Sequence, residues 1–394
     1  MRPKMSWGMF LALMGLVAVA GLAVDWRGVQ AVQAGELSAG LSADVGYKVL
    51  DPIRHGNLTV FPVVSSRSYP TGEFLTLDEG LRSGEVVVTE YGNAQGLIRR
   101  RHTTPAVMRE SAQVNKLVLI NNSKRPLLLL AGEIVTGGKQ DRVIGKDRIV
   151  PAESDPVDLN VFCVEPGRWV ATSEHFGASE ATYGSAGMVS GGPVPSTMMA
   201  QPSVRAKAMG DKDQNEVWAA VRKQQAQAME TIEVTNSAPQ LTAELRATSS
   251  YARVMENKEV KARVDEVARP IEQNYQSLIK QLRDRNAVGV VVAVNGRIIW
   301  ADIFASSDLL EKYWPKLVRS YASEAVVTRA KEAETGAKQA QMFLEDMNGL
   351  RETIENEPGI YRHTEASGDG FKAFSLTSLL PKTGFEVHVA KMAE

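Results

Sequence analysis

Two periods divide the chain. From Leu58 to Val164 the apolar residues come in short, β-branched runs bounded by turn residues: "LTVFPVV", "EVVVTEY", "KLVLI", "LLLLAGEIV", "DRVI", "DRIV" and "LNVFCVE". "NNSKRP" between the third and fourth has the chemistry of a reversal, and "PAESDP" is a breaker before the last. Strands following one another without helices between them predict an antiparallel core rather than βαβ units. "DRVI" and "DRIV" flank Gly145-Lys146, which predicts a charged hairpin with Lys146, Asp147 and Arg148 in solvent near the turn.

After about residue 213 the period becomes helical. "DQNEVWAAVRKQQAQAMETI" offers Asp213 as a cap with Glu216 three residues on. Val260, Val264, Val267, Ile271, Tyr275, Leu278 and Leu282 recur at steps of four and three, one face of a long helix that Pro270 should kink or split. "VGVVVAVNGRIIWADIF" reads as a hairpin turning on Asn295-Gly296 in type I′ geometry. Asp308 with Glu311 predicts a helix start, and "SEAVVTRAKEAETGAKQAQMFLEDMN" a further helix. "FKAFSLTSLL" and "FEVHVAKM" return to strand. The expected class is α+β, a mainly antiparallel β core with several packed amphipathic helices.

Composition changes this picture only at two places. The chain has 394 residues, 44% hydrophobic and 23% charged, with a net charge of −1, which gives no general attraction to nucleic acid. The first place is the start, where Arg2 and Lys4 precede an apolar run from Trp7 to Val24, and Val32-Gln33-Ala34 precede Gly35. That is the layout of a bacterial export signal over 1–34, with a membrane anchor at 7–24 as the alternative, followed by a linker at 35–55. It predicts a periplasmic or cell-envelope protein whose only membrane contact is that segment if uncleaved. The second is "FGASEATYGSAGMVSGGPVPSTMMAQP", an aperiodic Gly/Ser/Pro-rich insertion at about 176–202.

Several chemistries can be set aside. "GEIVTGGKQ" places five residues, not four, between Gly132 and Gly138-Lys139, and Gln140 stands where a phosphate loop needs Ser or Thr. The five histidines show no pair at helical spacing and Cys163 is the one cysteine, so neither metal nor cofactor is expected. Cys163 shares a strand face with Leu159 and Val161, which favours a buried, inert thiol. What needs explaining is charge inside apolar runs: Glu133 in "LLLLAGEIV", Glu165 ending "NVFCVE", Arg142 in "DRVI", and Arg168-Trp169 in "EPGRW". Either these groups satisfy one another, or they line a pocket. In the second case Arg142 and Arg168 clamp an anion, Trp169 offers a stacking face, Gln140 sorts donors from acceptors, and Glu165 or Glu133 serves as general base. Asp302 in "RIIWADIF" reads first as a cap for the following turn.

"AGEIVTGGKQDRVIGKDRIV", "VFCVEPGRW", "QNEVW" and "VNGRIIWADIFASSDLLEKYWPKLVRSYASEAV", in that order, resemble the ARPP domain family of proteins associated with ADP-ribosylglycohydrolases and rhodanese/phosphatase-superfamily enzymes. The resemblance spans roughly Gly56 to Lys391. It implies that Glu133, Gln140, Arg142, Glu165, Arg168 and Trp169 form a shared site, with Gln214, Trp218 and Asp302 as outlying members. Three functions are then open: a module binding an anionic small molecule or glycan-like polymer end, a hydrolase of nucleotide- or sugar-phosphate-like substrates, or a structural envelope protein with a buried ion network. Oligomeric state is not legible.

Overall fold

The short apolar runs pair, almost throughout antiparallel, into three sheets in a computed structural model that describes residues 46–90, 113–173, 175–177, 197–235, 243, 245–282, 286–331 and 333–394. The segment 1–34, read as an export signal or anchor, and most of the Gly/Ser/Pro-rich insertion, 178–196, lie outside the described residues. Lys48–Val49 (β1) and Ile53–His55 (β2), in the stretch read as linker, both pair with Leu58–Ser65 (β3). Leu75–Thr76 (β4) runs into the helix Leu77–Ser83 (α1). There the Thr76 hydroxyl accepts from the Glu79 N–H while the Glu79 carboxylate accepts from the Thr76 N–H, a reciprocal cap.

The next nine strands build a barrel and its collar. They are Val86–Glu90 (β5), Lys116–Asn121 (β6), Leu127–Leu129 (β7), Glu133–Gly137 (β8), Arg142–Ile144 (β9), Arg148–Val150 (β10), Val157–Cys163 (β11), His175–Gly177 (β12) and Met198–Met199 (β13). The order β12-β5-β6-β11-β9-β8 closes on itself because β12 pairs with β8 as well as β5. Closure leaves no unpaired edge in the ring. Inward residues alternate with outward ones. Val86, Val88, Leu117, Leu119, Val135, Ile144, Leu159, Val161 and Phe176 fill the interior, whereas Ile134, Val143, Phe162 and Val164 face out into a second core. β10, β7 and β4 form a separate three-stranded sheet, with β4 parallel to β7.

Two expectations fail here for one reason. "LLLLAGEIV" is not a single strand, and "DRVI" and "DRIV" are not a hairpin: β7 and β10 pair with each other, while β8 and β9 belong to the barrel. The chain breaks at Leu130–Gly132 because its backbone is captured by side chains. The Leu130 N–H donates to Glu133 at 2.8 Å and the Ala131 N–H to Asp147 at 2.7 Å. Gly132 has φ +97° and a Cβ there would meet the Arg205 side chain at 2.6 Å, so glycine is required twice over. Asp147, expected in solvent, is fully buried.

The helical half follows. Pro202–Ala206 (α2) continues through a π-turn at Lys207–Asp211 to Gln214–Thr235 (α3). Asp213 Oδ1 accepts from the Asn215 and Glu216 N–H groups, the expected start of α3. Tyr251–Glu256 (α4) is capped by Ser250, and Lys258–Ile279 (α5) passes through Pro270 without splitting. Asn286–Val294 (β14) and Arg297–Phe304 (β15) form the expected hairpin, with Asn295 at φ +52° and Gly296 at φ +70° as a type I′ turn demands. Ser306, not Asp308, caps Ser307–Val327 (α6), its hydroxyl accepting from the Leu309 N–H. The helix expected across 323–348 divides: its start belongs to α6 and its second part is Ala337–Glu345 (α7).

Arg351–Glu357 (β16), Tyr361–Gly368 (β17), Phe371–Ser378 (β18) and Glu386–Ala393 (β19) complete a nine-stranded antiparallel sheet, β1-β3-β14-β15-β19-β18-β17-β16, with β2 also on β3. Both its faces are covered. Leu58, Val60, Val290, Val292, Trp300 and Phe304 share one core with α3–α6 and the outside of the barrel. Phe61, Val63, Val291, Ile303 and Val389 share the other with α7. No described helix is long and apolar enough to cross a membrane.

Candidate functional site

Three strand-parity arguments place the polar residues. In β5 the inward positions Val86 and Val88 are followed by Glu90; in β11 Leu159 and Val161 are followed by Cys163; in β9 Ile144 is preceded by Arg142. Cys163 and Arg142 are register partners. Glu90, Arg142 and Cys163 therefore continue the barrel's apolar interior at one end, all of them buried. Barrel mouths are recurrent ligand sites because a rigid wall presents convergent side chains there.

The turn "TGGKQD" crosses this mouth with its amides pointing at carboxylates and hydroxyls. The Gly137 N–H donates to Asp141 at 3.1 Å, Gly138 to the Ser173 hydroxyl at 3.1 Å, Lys139 to Glu90 at 2.8 Å, and Asp141 to Glu165 at 3.1 Å. Gly137 and Gly138 have positive φ, and a Cβ on Gly138 would enter the Phe176 ring. A second segment, Glu165 to Ser173, lies over the turn. Arg168 ties it down, donating to Glu165 at 2.5 Å and to the Gly138 and Val170 carbonyls at 2.9 and 2.8 Å, with Asp141 at 3.5 Å. Gln140 donates to the Glu165 carbonyl at 3.1 Å. Trp169 rides on top, 42% exposed, its ring 4.9 Å from the Lys139 ammonium and 6.0 Å from the Arg142 guanidinium.

Electrostatics at the mouth is balanced and unusual. Burial, then the neighbouring Glu165 carboxylate, push the Asp141 carboxyl up to about 6, against hydrogen bonds from Ser250 and Gly137 and the attraction of Arg168. Burial likewise raises the Cys163 thiol, so the sulfur is no thiolate nucleophile as it stands. Arg142 donates to the Val114 carbonyl at 2.8 Å and the Gln140 carbonyl at 2.7 Å, yet its Nη2 has no partner among the described residues. Gln140 Oε1 and Glu90 Oε2 are also buried without one. Unmet polar atoms cost about 1–3 kcal/mol each, so three around one mouth make it a candidate ligand site.

Of the six residues singled out from sequence, five gather here: Gln140, Arg142, Glu165, Arg168 and Trp169. Glu133 does not. It sits at the start of β8 and pairs with Lys316 of α6, which also holds Asp78 of α1 at 2.7 Å and the Thr197 hydroxyl at 3.1 Å. Burial pushes the Lys316 ammonium down, but Asp78 and Glu133 outweigh it and the proton is held more tightly than in water. Burial raises the Glu133 carboxyl despite that lysine.

The outlying members also find places. Gln214 clamps the Cys163 peptide, accepting from its N–H at 2.8 Å and donating to its carbonyl at 2.9 Å, so α3 fixes the end of β11. Trp218, one turn on, lies with its indole N–H beside the Cys163 sulfur. Asp302 is no cap. It takes both arms of Arg205 at 2.9 Å, accepts from Tyr321, and lies 3.2 Å from His388, whose other ring nitrogen meets Asp147 at 2.6 Å. This chain is fully buried and joins β15, α2, α6, β19 and the turn before β10.

Sequence reading overlooked Glu90, Lys139 and Asp141. Glu90 was detectable, since it breaks the inward parity of β5; Asp141 was not, because its neighbours Glu165 and Ser250 come from distant segments. No group of histidine, cysteine, aspartate and glutamate among the described residues has the arrangement of a metal site. A family model described as the ARG and Rhodanese-Phosphatase-superfamily-associated Protein domain, ARPP-1, matches residues 46–391. No curated protein and no solved structure matches the chain.

Proposed function

The chain belongs to the ARPP-1 family, and on that footing we propose that it is a binding module whose barrel mouth holds a small anionic molecule bearing a flat ring. One observation carries the reading: an exposed indole, Trp169, with the Lys139 and Arg142 cations 4.9 and 6.0 Å from its ring, shares the mouth with the buried, unpartnered Gln140 Oε1, Arg142 Nη2 and Glu90 Oε2. Stacking on Trp169 would hold the ring, Lys139 and Arg142 Nη2 would meet the anion, and Gln140 and Glu90 would accept from ligand hydroxyl or amino groups. Nucleotides and ADP-ribose have this constitution. The leader-like segment at 1–34 adds an envelope location to the proposal, testable by cell fractionation.

A thermal-shift panel of nucleotides, ADP-ribose, sugar phosphates and glycans tests it, because a ligand of the native state raises Tm. A positive compound should bind about tenfold or more weakly to Trp169→Ala, the loss of one stacked ring. If no member of the panel shifts Tm, or Trp169→Ala binds as tightly as the parent, the reading fails.

The adjacent Asp141 and Glu165 carboxyls favour a second reading, a hydrolase, since a carboxyl near pKa 6 beside an arginine-bound carboxylate can pass a proton. Glu165→Gln separates the two: ligand affinity kept with turnover lost supports the hydrolase, and no turnover in the parent removes it.

A further inference from the structure

A second polar feature lies away from the mouth, where the barrel meets β16 and β17. A cleft of about 70 Å³ is floored by Ile144, Leu159 and Tyr361. Lys146 and Arg148, at the turn before β10 and its first residue, stand on one side and Glu355 and Glu357 of β16 on the other, so its two walls carry opposite charge. Lys146 and Glu355 close one end as an ion pair at 2.5 Å. Arg148 and Glu357 face the same space at the other, and neither forms an ion pair with any described residue; Arg148 donates only to the Asp158 carbonyl, at 2.6 Å.

Behind the ion pair the bonding is also incomplete. His363 lies on the same face of β17 as Tyr361 and is the register partner of Glu355. It is 2% exposed, and neither ring nitrogen has a hydrogen-bond partner. A buried imidazole normally uses at least one.

We propose that this cleft binds a free α-amino acid, its carboxylate on Arg148, its ammonium on Glu357, and its side chain toward solvent. A cation and an anion that share a cavity without pairing are complemented by a ligand carrying both charges at a fixed short spacing. The volume fits that assignment: at roughly 10–15 Å³ of this space per water, about five waters leave, enough for a zwitterionic head. The site is independent of the barrel mouth, since none of the mouth residues lines it.

Titration calorimetry of the full chain with glycine and L-alanine tests the assignment, with acetate and glycinamide as half-ligands lacking one charge each. Both amino acids should bind, and each half-ligand should bind at least about tenfold more weakly. Arg148→Met and Glu357→Gln, both at partly exposed positions, should each weaken glycine binding about tenfold with Tm unchanged. Trp169→Ala should leave it unaltered, so a failure at the mouth is distinguishable from one here. Absence of glycine binding, equal binding of acetate or glycinamide, or full retention of affinity in Glu357→Gln overturns the proposal.

Discussion

Arg205→Met is expected to lower the unfolding free energy by about 3–5 kcal/mol, read from the urea midpoint at unchanged slope. Arg205 has no solvent exposure and gives both guanidinium arms to Asp302. Methionine fills much of the same space but leaves Asp302 a buried carboxylate with only Tyr321 and the partly shared His388 cation against it. The stack of the guanidinium on Trp300, 4.4 Å from the ring centroid, is lost as well. The origin of the cost is the stranded charge, so it should shrink when the charge goes too. Arg205→Met with Asp302→Leu should lose less than the sum of the single changes, by at least about 1 kcal/mol. Strict additivity, or a single-variant loss below about 1 kcal/mol, contradicts this account of the network.

The second large effect is a pH dependence. Burial pushes the His388 imidazolium down, but Asp147 and Asp302 on its two nitrogens outweigh it and raise its pKa to about 9. The unfolded chain takes the ordinary value near 6.5. A histidine raised on folding contributes stability that is complete below about 6.5 and is lost as pH climbs through 9. For this fully buried group the loss is on the order of 3 kcal/mol. Other groups titrate nearby. Asp141 and Glu386, raised to about 6 and 7 by burial, also cost stability as pH rises toward neutrality. Lys391, lowered by burial to about 8, acts in the opposite sense above that value. Asp141 and Lys391 are common to parent and variant, and carrying Glu386→Gln in both removes the carboxyl that the His388 charge lowers, so the difference between parent and His388→Gln isolates the histidine. The parent's advantage should narrow steadily from pH 6.5 to 9. A gap that stays constant across that window would show that His388 is not charged in the folded protein.

Local pattern carried much of the fold. β-branched runs, the Asn295-Gly296 turn and the Asp213 start of α3 each depend on neighbours within a few residues, and the structure has all three. β16 and β17 went unread because "RETIENE" and "YRHTEASG" are too polar to announce strands; their pairing with β18 supplies what their composition lacks. The break inside "LLLLAGEIV" went unread for the opposite reason, since nothing apolar about it is wrong for a strand. It is set by Asp147 and Arg205 arriving from elsewhere. The same holds among the charged residues. Gln140, Arg142, Glu165, Arg168 and Trp169, singled out as polar groups in or beside apolar runs, lie together in space, whereas Glu133 is claimed by Lys316, 183 residues away. A charge inside an apolar run signals that a partner exists without saying which.

The pairing of β3 with β14 has a consequence for the order in which the molecule can assemble. Pro62 lies opposite Val290, so an early strand waits about 230 residues for its neighbour. As the chain emerges N-terminus first, from the ribosome or from a translocation channel, the barrel, contiguous in sequence from β5 to β12, can close long before that neighbour exists. During that interval Ile134, Val143, Phe162 and Val164 on its outer wall have no helices or sheet to cover them. A chain that folds in this order would display a sticky flank on a finished barrel until the helices and sheet arrive, a surface of the kind that chaperones shield.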